Sequence, residues 1–196
     1  NRCPEGGRPS AAMRKIRGVE EGGIRGERVA AMITKTLFAV LGSVMLTSCI
    51  FEFPFETEAK FPVDASLLGR WELIPDNAAE ARERMLVLQY SANEYVVEYP
   101  VGESALYFRA FAVELAGEKY VQIQLLGNAD GPVARADRKY HLLKLAVRDG
   151  TMEMRTLNTD VFGKHYGDST RMVAAFVEHR NDPKLFGEAE QFRRIK

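Results

Sequence analysis

The sequence predicts a mainly β protein, a small antiparallel β-barrel of seven or eight strands with one helix in the C-terminal region. Three observations carry the prediction. From Gly69 onward apolar residues recur with a period of two rather than about 3.6. Turn signals at Ser91-Ala92-Asn93, Ala116-Gly117-Glu118 and Asp149-Gly150 divide these runs into hairpins. Only the stretch near 170–180 carries a sustained apolar stripe at helical spacing. So many strands in so short a chain do best by closing, because closure removes exposed edges. An open sheet packed on the helix is the alternative.

Taken in order, 84–90 and 94–99 flank the first turn and form a hairpin. Tyr95, Val97 and Tyr99 share one face, and Glu94, Val96 and Glu98 the other, so one side is expected to be wet. The runs 105–115 and 119–126 form a second hairpin. In the third, Asp149-Gly150 is a type I′ signal that fixes the register. Arg148 then opposes Thr151, while Val147, Leu145 and Leu143 face Met152, Met154 and Thr156 on one side. Lys144 with Arg155 and Ala146 with Glu153 fall on the other. Residues 158–162 read as a short helical turn. Ser169 is expected to cap a helix from Thr170 to about Arg180, with Met172, Val173, Phe176 and Val177 as its stripe and Asn181-Asp182-Pro183 as its stop. Residues 190–195 supply a last short strand.

Ahead of this body, Met32-Ile33-Thr34-Lys35-Thr36 carries one positive charge and no acid, and residues 37–46 are uncharged and mostly apolar. These are the n-region and h-region of a signal peptide. The run is about half the ~20 residues of a membrane-spanning helix. Leu46-Thr47-Ser48-Cys49 resembles the lipobox of bacterial lipoproteins. That resemblance implies a diacylglycerol on the Cys49 sulfur, cleavage before Cys49, and acylation of the new amine. Two or three acyl chains, at ~0.8 kcal/mol per buried methylene, hold a domain on a membrane where one does not. Ile50, where Asp would favour inner-membrane retention, implies the outer membrane facing the periplasm, or the cell exterior in a host with one membrane. Without the motif, the same residues read as a short buried helix ending in a free cysteine.

Residues 1–31 have no apolar period and are rich in Arg, Gly and Glu. They are expected to be an untranslated or mis-assigned extension preceding a start at Met32, with Met13 as the alternative start. The organisation expected is therefore extension 1–31, signal peptide 32–48, lipidated cysteine and tether 49–66, and barrel domain 67–196. The 148 residues from Cys49 onward suffice for one domain. They keep 19 of the 27 basic and 23 of the 27 acidic residues, a net of −4 that argues against nucleic acid as a partner. Their single cysteine leaves no intramolecular disulfide. Residues 50–66 span ~55–60 Å if extended. Phe51, Phe53, Phe55 and Phe61 are too apolar for an ordinary linker and are expected either to lie at the lipid interface or to pack along the domain.

Gly69-Arg70-Trp71, with the only tryptophan of the chain, resembles the G-x-W that opens the first strand of lipocalins and other calycins. The hairpin series, the late helix and the closing strand extend the resemblance over the whole chain after Cys49, which is similar to bacterial lipoproteins with lipocalin-like domains. By that resemblance an arginine of the last strand, Arg193 or Arg194, packs across Trp71.

Catalytic patterns are missing from the sequence: no G-x-S-x-G elbow, no Gly-rich phosphate loop, no C-x-x-C-H haem attachment. No enzyme activity, cofactor or metal is expected. His165, near Asp160 and Asp168, matches no ligand spacing, and His179 suits a solvated helix end. His141 shares the face of Leu143 and Leu145, as a lumen residue or as a buried, hydrogen-bonded one. In the second hairpin Tyr107, Arg109 and Phe111 share a face with Tyr120, Gln122 and Gln124, while the opposite face is dry. If the mixed face points inward, Arg109 meets a carboxylate or phosphate in a cavity that Tyr95 and Tyr99 also line; if outward, these residues cover the sheet or meet a partner. Two functions follow. One is a lipid-anchored envelope protein binding a small apolar or amphipathic ligand. The other is a structural or assembly accessory with a filled barrel, docking an envelope protein through its surface. A small hydrolase would require a pair such as Ser with His141 to meet on folding.

Overall fold

A computed structural model describes residues 51–77 and 82–196. The expected extension, signal peptide and Cys49 lie outside the described residues. Among those described, β1 (Gly69–Ile74), β2 (Arg84–Gln89), β3 (Tyr95–Tyr99), β4 (Leu106–Leu115) and β5 (Glu118–Asn128) form a meander. Then come the two-residue β6 (Gly131–Pro132), β7 (Tyr140–Arg148), β8 (Thr151–Thr156), helices α1 (Thr159–Phe162) and α2 (Ser169–His179), and β9 (Glu190–Ile195). Each long strand pairs antiparallel with the next long strand in the chain, and β9 returns to β1. The result is a closed eight-stranded up-and-down barrel, with β6 a short addition beside the end of β5.

The hairpin registers follow from their turns. Asp149 and Gly150 take φ of 50° and 76°, and Ala116 and Gly117 take 53° and 83°, the paired left-handed conformations of two-residue turns that match strand twist. The third hairpin pairs as expected, Arg148 with Thr151 through Leu143 with Thr156. At the helix start the sequence reading is off by one residue. Asp168, not Ser169, is the N-cap, its carboxylate accepting the Arg171 N–H at 2.8 Å.

Apolar residues form two cores. Inside the barrel, Trp71, Met85, Val87, Tyr95, Phe108, Ala110, Ile123, Met152 and Phe192 are buried against one another. Outside the wall, Phe111, Val113, Leu115, Tyr120 and Leu142 lie under Phe51, Phe55, Phe162, Met172 and Phe176. The Phe-rich segment is thus laid on the barrel, with Phe51 fully buried. Phe51 exchanges two backbone hydrogen bonds with Tyr140, each 2.9 Å. Further on, Val63 donates to the Ala92 carbonyl, and Val63, Leu67 and Leu68 pack on the inner core at one end of the barrel.

Closure is locked at that end. The Arg194 guanidinium stacks on Trp71 at 4.6 Å and donates to the Leu68 carbonyl at 2.7 Å and to that of Ser66. The indole Nε1–H donates to the Leu67 carbonyl at 2.9 Å. Arg193, on the outer face, instead pairs with Glu72, which Arg84 of the opposite neighbour strand also contacts. Of the two arginines, Arg194 is the one across the tryptophan. Gly69 is required beside it, because its φ is +120° and an added Cβ would sit 3.2 Å from the Arg194 guanidinium.

Arg194→Ala is expected to destabilise the barrel by about 1–3 kcal/mol, from the lost stacking and carbonyl bonds. Arg194→Lys should fall between, since an ammonium cannot reproduce the fork. Urea unfolding followed by Trp71 emission measures both, and wild-type stability in Arg194→Ala would refute the lock.

Candidate functional site

The residues singled out by sequence fall into two sets on opposite sides of the wall. Tyr95, Tyr99 and His141 belong to the inner side, and Tyr95 also contributes to the lining of the groove that holds Arg109, as the sequence reading expected of that pair. The Tyr95 hydroxyl oxygen accepts the Asp64 N–H at 2.6 Å. Tyr99 packs edge-on against Phe192 at 5.9 Å. Burial raises the pKa of both hydroxyls above the ordinary tyrosine value. His141 is 4 % exposed, paired in register with Ile123. Tyr107, Arg109, Gln122 and Gln124 lie on the outer wall. The mixed face of the second hairpin therefore points outward, and the dry face of Leu106, Phe108, Ala110, Val121, Ile123 and Leu125 fills the barrel.

Within the outer set, roles divide again. Gln122 is 1 % exposed and clamps the N-terminal segment. Its Oε1 accepts the N–H groups of Phe55 at 2.6 Å and Glu56 at 3.2 Å, and its Nε2 donates to the Glu56 carbonyl at 2.9 Å. All three of these bonds hold backbone. Nearby, Tyr120 is pushed up to about 12 by burial and by its bond to Glu118.

Arg109 and Gln124 belong to a groove. Val96, Arg109, Gln124 and Tyr140 are successive cross-strand partners on β3, β4, β5 and β7, so they form one row across the outer wall. This row is part of a groove of about 560 Å³ whose lining also includes Tyr90, Tyr95, Leu126, Arg135 and Arg138. Arg109 pairs with Glu94 and its guanidinium sits 4.9 Å from the Phe111 ring centre. Gln124 donates to the Tyr140 hydroxyl at 3.0 Å. The lining holds three guanidiniums and no carboxylate. Such a surface takes an organic anion whose apolar part lies along Val96, Leu126 and the tyrosine rings.

The arginine wall is positioned by backbone. Strand alternation puts Leu126 on the groove side with Gln124, and a register shift between Tyr107 and Phe108 leaves it without a partner on β4. The Leu126 carbonyl accepts the Val133 N–H at 2.8 Å, and Leu125 donates to the Lys139 carbonyl at 3.2 Å. Gly127 permits β6 to approach this closely, for an added Cβ would lie 2.5 Å from the Gly131 oxygen. The loop and its 3₁₀ turn, Arg135–Asp137, are thereby held beside β5. Sequence reasoning missed Arg135, Arg138 and Tyr140. The available signal was the basic cluster Arg135, Arg138, Lys139 after a Gly-Pro turn in an acidic body.

Among the described residues no three His, Cys, Asp or Glu side chains are grouped to hold a metal ion. His165 is exposed, and His179 meets Phe162 edge-on at 6.3 Å. No protein-family model, curated protein or solved structure matches the chain. The closed antiparallel eight-strand barrel is compatible with a lipocalin-like fold on its geometry alone.

Gln122→Leu keeps the volume but strands buried Phe55 and Glu56 backbone groups. A loss of about 1–3 kcal/mol is expected, with faster hydrogen exchange at both amides. Unchanged exchange there would show that the clamp is not what holds the segment.

Proposed function

We propose that this chain is a lipid-anchored cell-envelope protein, acylated at Cys49 and directed to the outer membrane facing the periplasm, with a lipocalin-like barrel that binds a small amphipathic ligand on its outer wall. The observation carrying this reading is the division of space. The barrel interior is occupied by Trp71, Phe108, Met152 and Phe192, each at most 4 % exposed, while the concavity with polar, convergent side chains lies outside. A lumenal carrier needs several hundred Å³ of interior room; a filled barrel binds at its surface or not at all.

A second reading, docking of an envelope protein, is favoured by one observation. Leu88 and Tyr90 at the end of β2 are 48 % and 73 % exposed, an apolar pair beside the groove.

Isotope-labelled chain 49–196 carrying Cys49→Ser, titrated with decanoate, tests where ligand binds. Amide shifts are expected at 94–97, 107–110, 122–126 and 135–140. Shifts centred on Trp71, Met152 and Phe192 would place the ligand in the lumen and overturn the reading, and none at all would leave the docking reading in its place. The anchor is tested in cells: Cys49→Ser should abolish labelling by radioactive palmitate, and persistent labelling would sink the lipoprotein assignment.

A further inference from the structure

We infer that the outer groove is a phosphate site for membrane lipid, holding the headgroup phosphate of an anionic phospholipid against Arg135, Arg138 and Arg109. The inference deepens the groove-binding reading above and rests on it.

The first argument is charge. Arg109 is already compensated by Glu94. Arg135 and Arg138 enter the lining from the loop after β6, Arg138 with one N–H on the Val133 carbonyl, and no carboxylate is among the lining residues. A planar carboxylate is satisfied by one guanidinium fork, whereas a tetrahedral phosphate presents oxygens in several directions and suits guanidiniums arriving from different walls. The body after Cys49 carries a net of −4, so this basic island is local and sets an orientation toward an anionic surface.

The second argument is place. Tyr140 lines the groove and is also the residue bridged to Phe51 by two backbone hydrogen bonds. One residue, Ile50, lies between Phe51 and Cys49, a reach of at most ~7 Å of backbone. With residues 51–55 fastened to the wall by Tyr140 and Gln122, no slack remains between an acylated Cys49 and the groove. Acyl chains at Cys49 therefore bring the groove to the headgroup layer. The apolar side of the groove, Val96 and Leu126, then meets the glyceryl end of a lipid rather than water.

The test uses the mature chain of the reading above, residues 49–196 with Cys49→Ser, so that binding is read without acyl chains and without the apolar run 37–46. Probes are vesicles of phosphatidylglycerol and phosphatidylcholine, vesicles of phosphatidylcholine alone, and soluble glycerol 3-phosphate. Co-sedimentation with the anionic vesicles should fall at least tenfold in Arg135→Gln/Arg138→Gln, each charge near an anionic surface being worth about a fivefold factor. It should fall much less in Arg148→Gln/Arg180→Gln, which removes equal charge elsewhere. Equal losses in the two variants, or none in the first, overturn the site. Saturable binding of glycerol 3-phosphate as tight as that of vesicles overturns the lipid source and assigns the site to a soluble organic phosphate. Arg135, Arg148 and Arg180 are exposed, whereas Arg138 is half-buried and donates to the Val133 carbonyl at 3.3 Å, so an unchanged urea midpoint is required of each variant before its binding is read. Decanoate shifts in the groove without vesicle binding would leave the groove reading standing and remove only this one.

Discussion

The long hairpin of β4 and β5 is apolar on both faces, and most of the architecture follows from that. Its inner face, from Leu106 to Ala112 and from Val121 to Leu125, is covered by closing the sheet into a barrel. Its outer face carries Phe111, Val113, Leu115 and Tyr120, which a bare barrel would leave in water. Burial of such rings is worth roughly 1.5–3 kcal/mol each, enough to hold a segment and two helices against the wall. The N-terminal segment and α2 are that cover. Where it ends, the same outer face continues as Arg109, Gln124 and Tyr140, and there the groove opens.

This two-sided hairpin also marks the limit of what the sequence disclosed. Where one face was plainly wet or a turn plainly fixed, reading was direct: Asp149-Gly150 specified the whole β7–β8 register, and 190–195 announced β9. At 105–126 both faces carried large apolar groups, so the period of two identified the strands but not their inside. The choice was made by partners distant in sequence, Phe51, Phe55 and Phe176. The Phe-rich stretch showed no period because it is neither strand nor helix, yet its aromatic content was the correct signal of packing. Gln122 resembled a ligand residue because a buried amide and a binding amide look alike in sequence; the difference is what backbone arrives beside it. Arg135 and Arg138 gave no sign beyond local charge, since their place depends on the Gly127–Gly131 approach.

Closure and cover are coupled through one stretch of chain. Residues 51–61 cross the outer wall, bonded at Tyr140, Gln122 and, through Asn93, at Ala59. Residues 63–68 then turn under the barrel and give their carbonyls to Trp71 and Arg194. The segment that covers the outer core is thus continuous with the plug that seals the inner one. A pull at residue 51 is resisted by the wall and by the closure in series.

That continuity changes what an anchor at Cys49 means physically. A free segment of seventeen residues lets a domain sample every orientation tens of ångströms from a bilayer. A segment fastened from Phe51 onward removes that freedom, because the orientation is fixed by the same contacts that complete the core. Were the chain held at Cys49, the conformational entropy of residues 51–66 would be lost once, on folding, instead of at each encounter with a surface ligand. Such pre-organisation is of no use to a protein that carries its cargo inside, where any orientation serves. It would have value for one held at Cys49 with its polar groove on the wall beside that end of the segment, and the filled interior and the fastened segment support the proposed reading in the same direction.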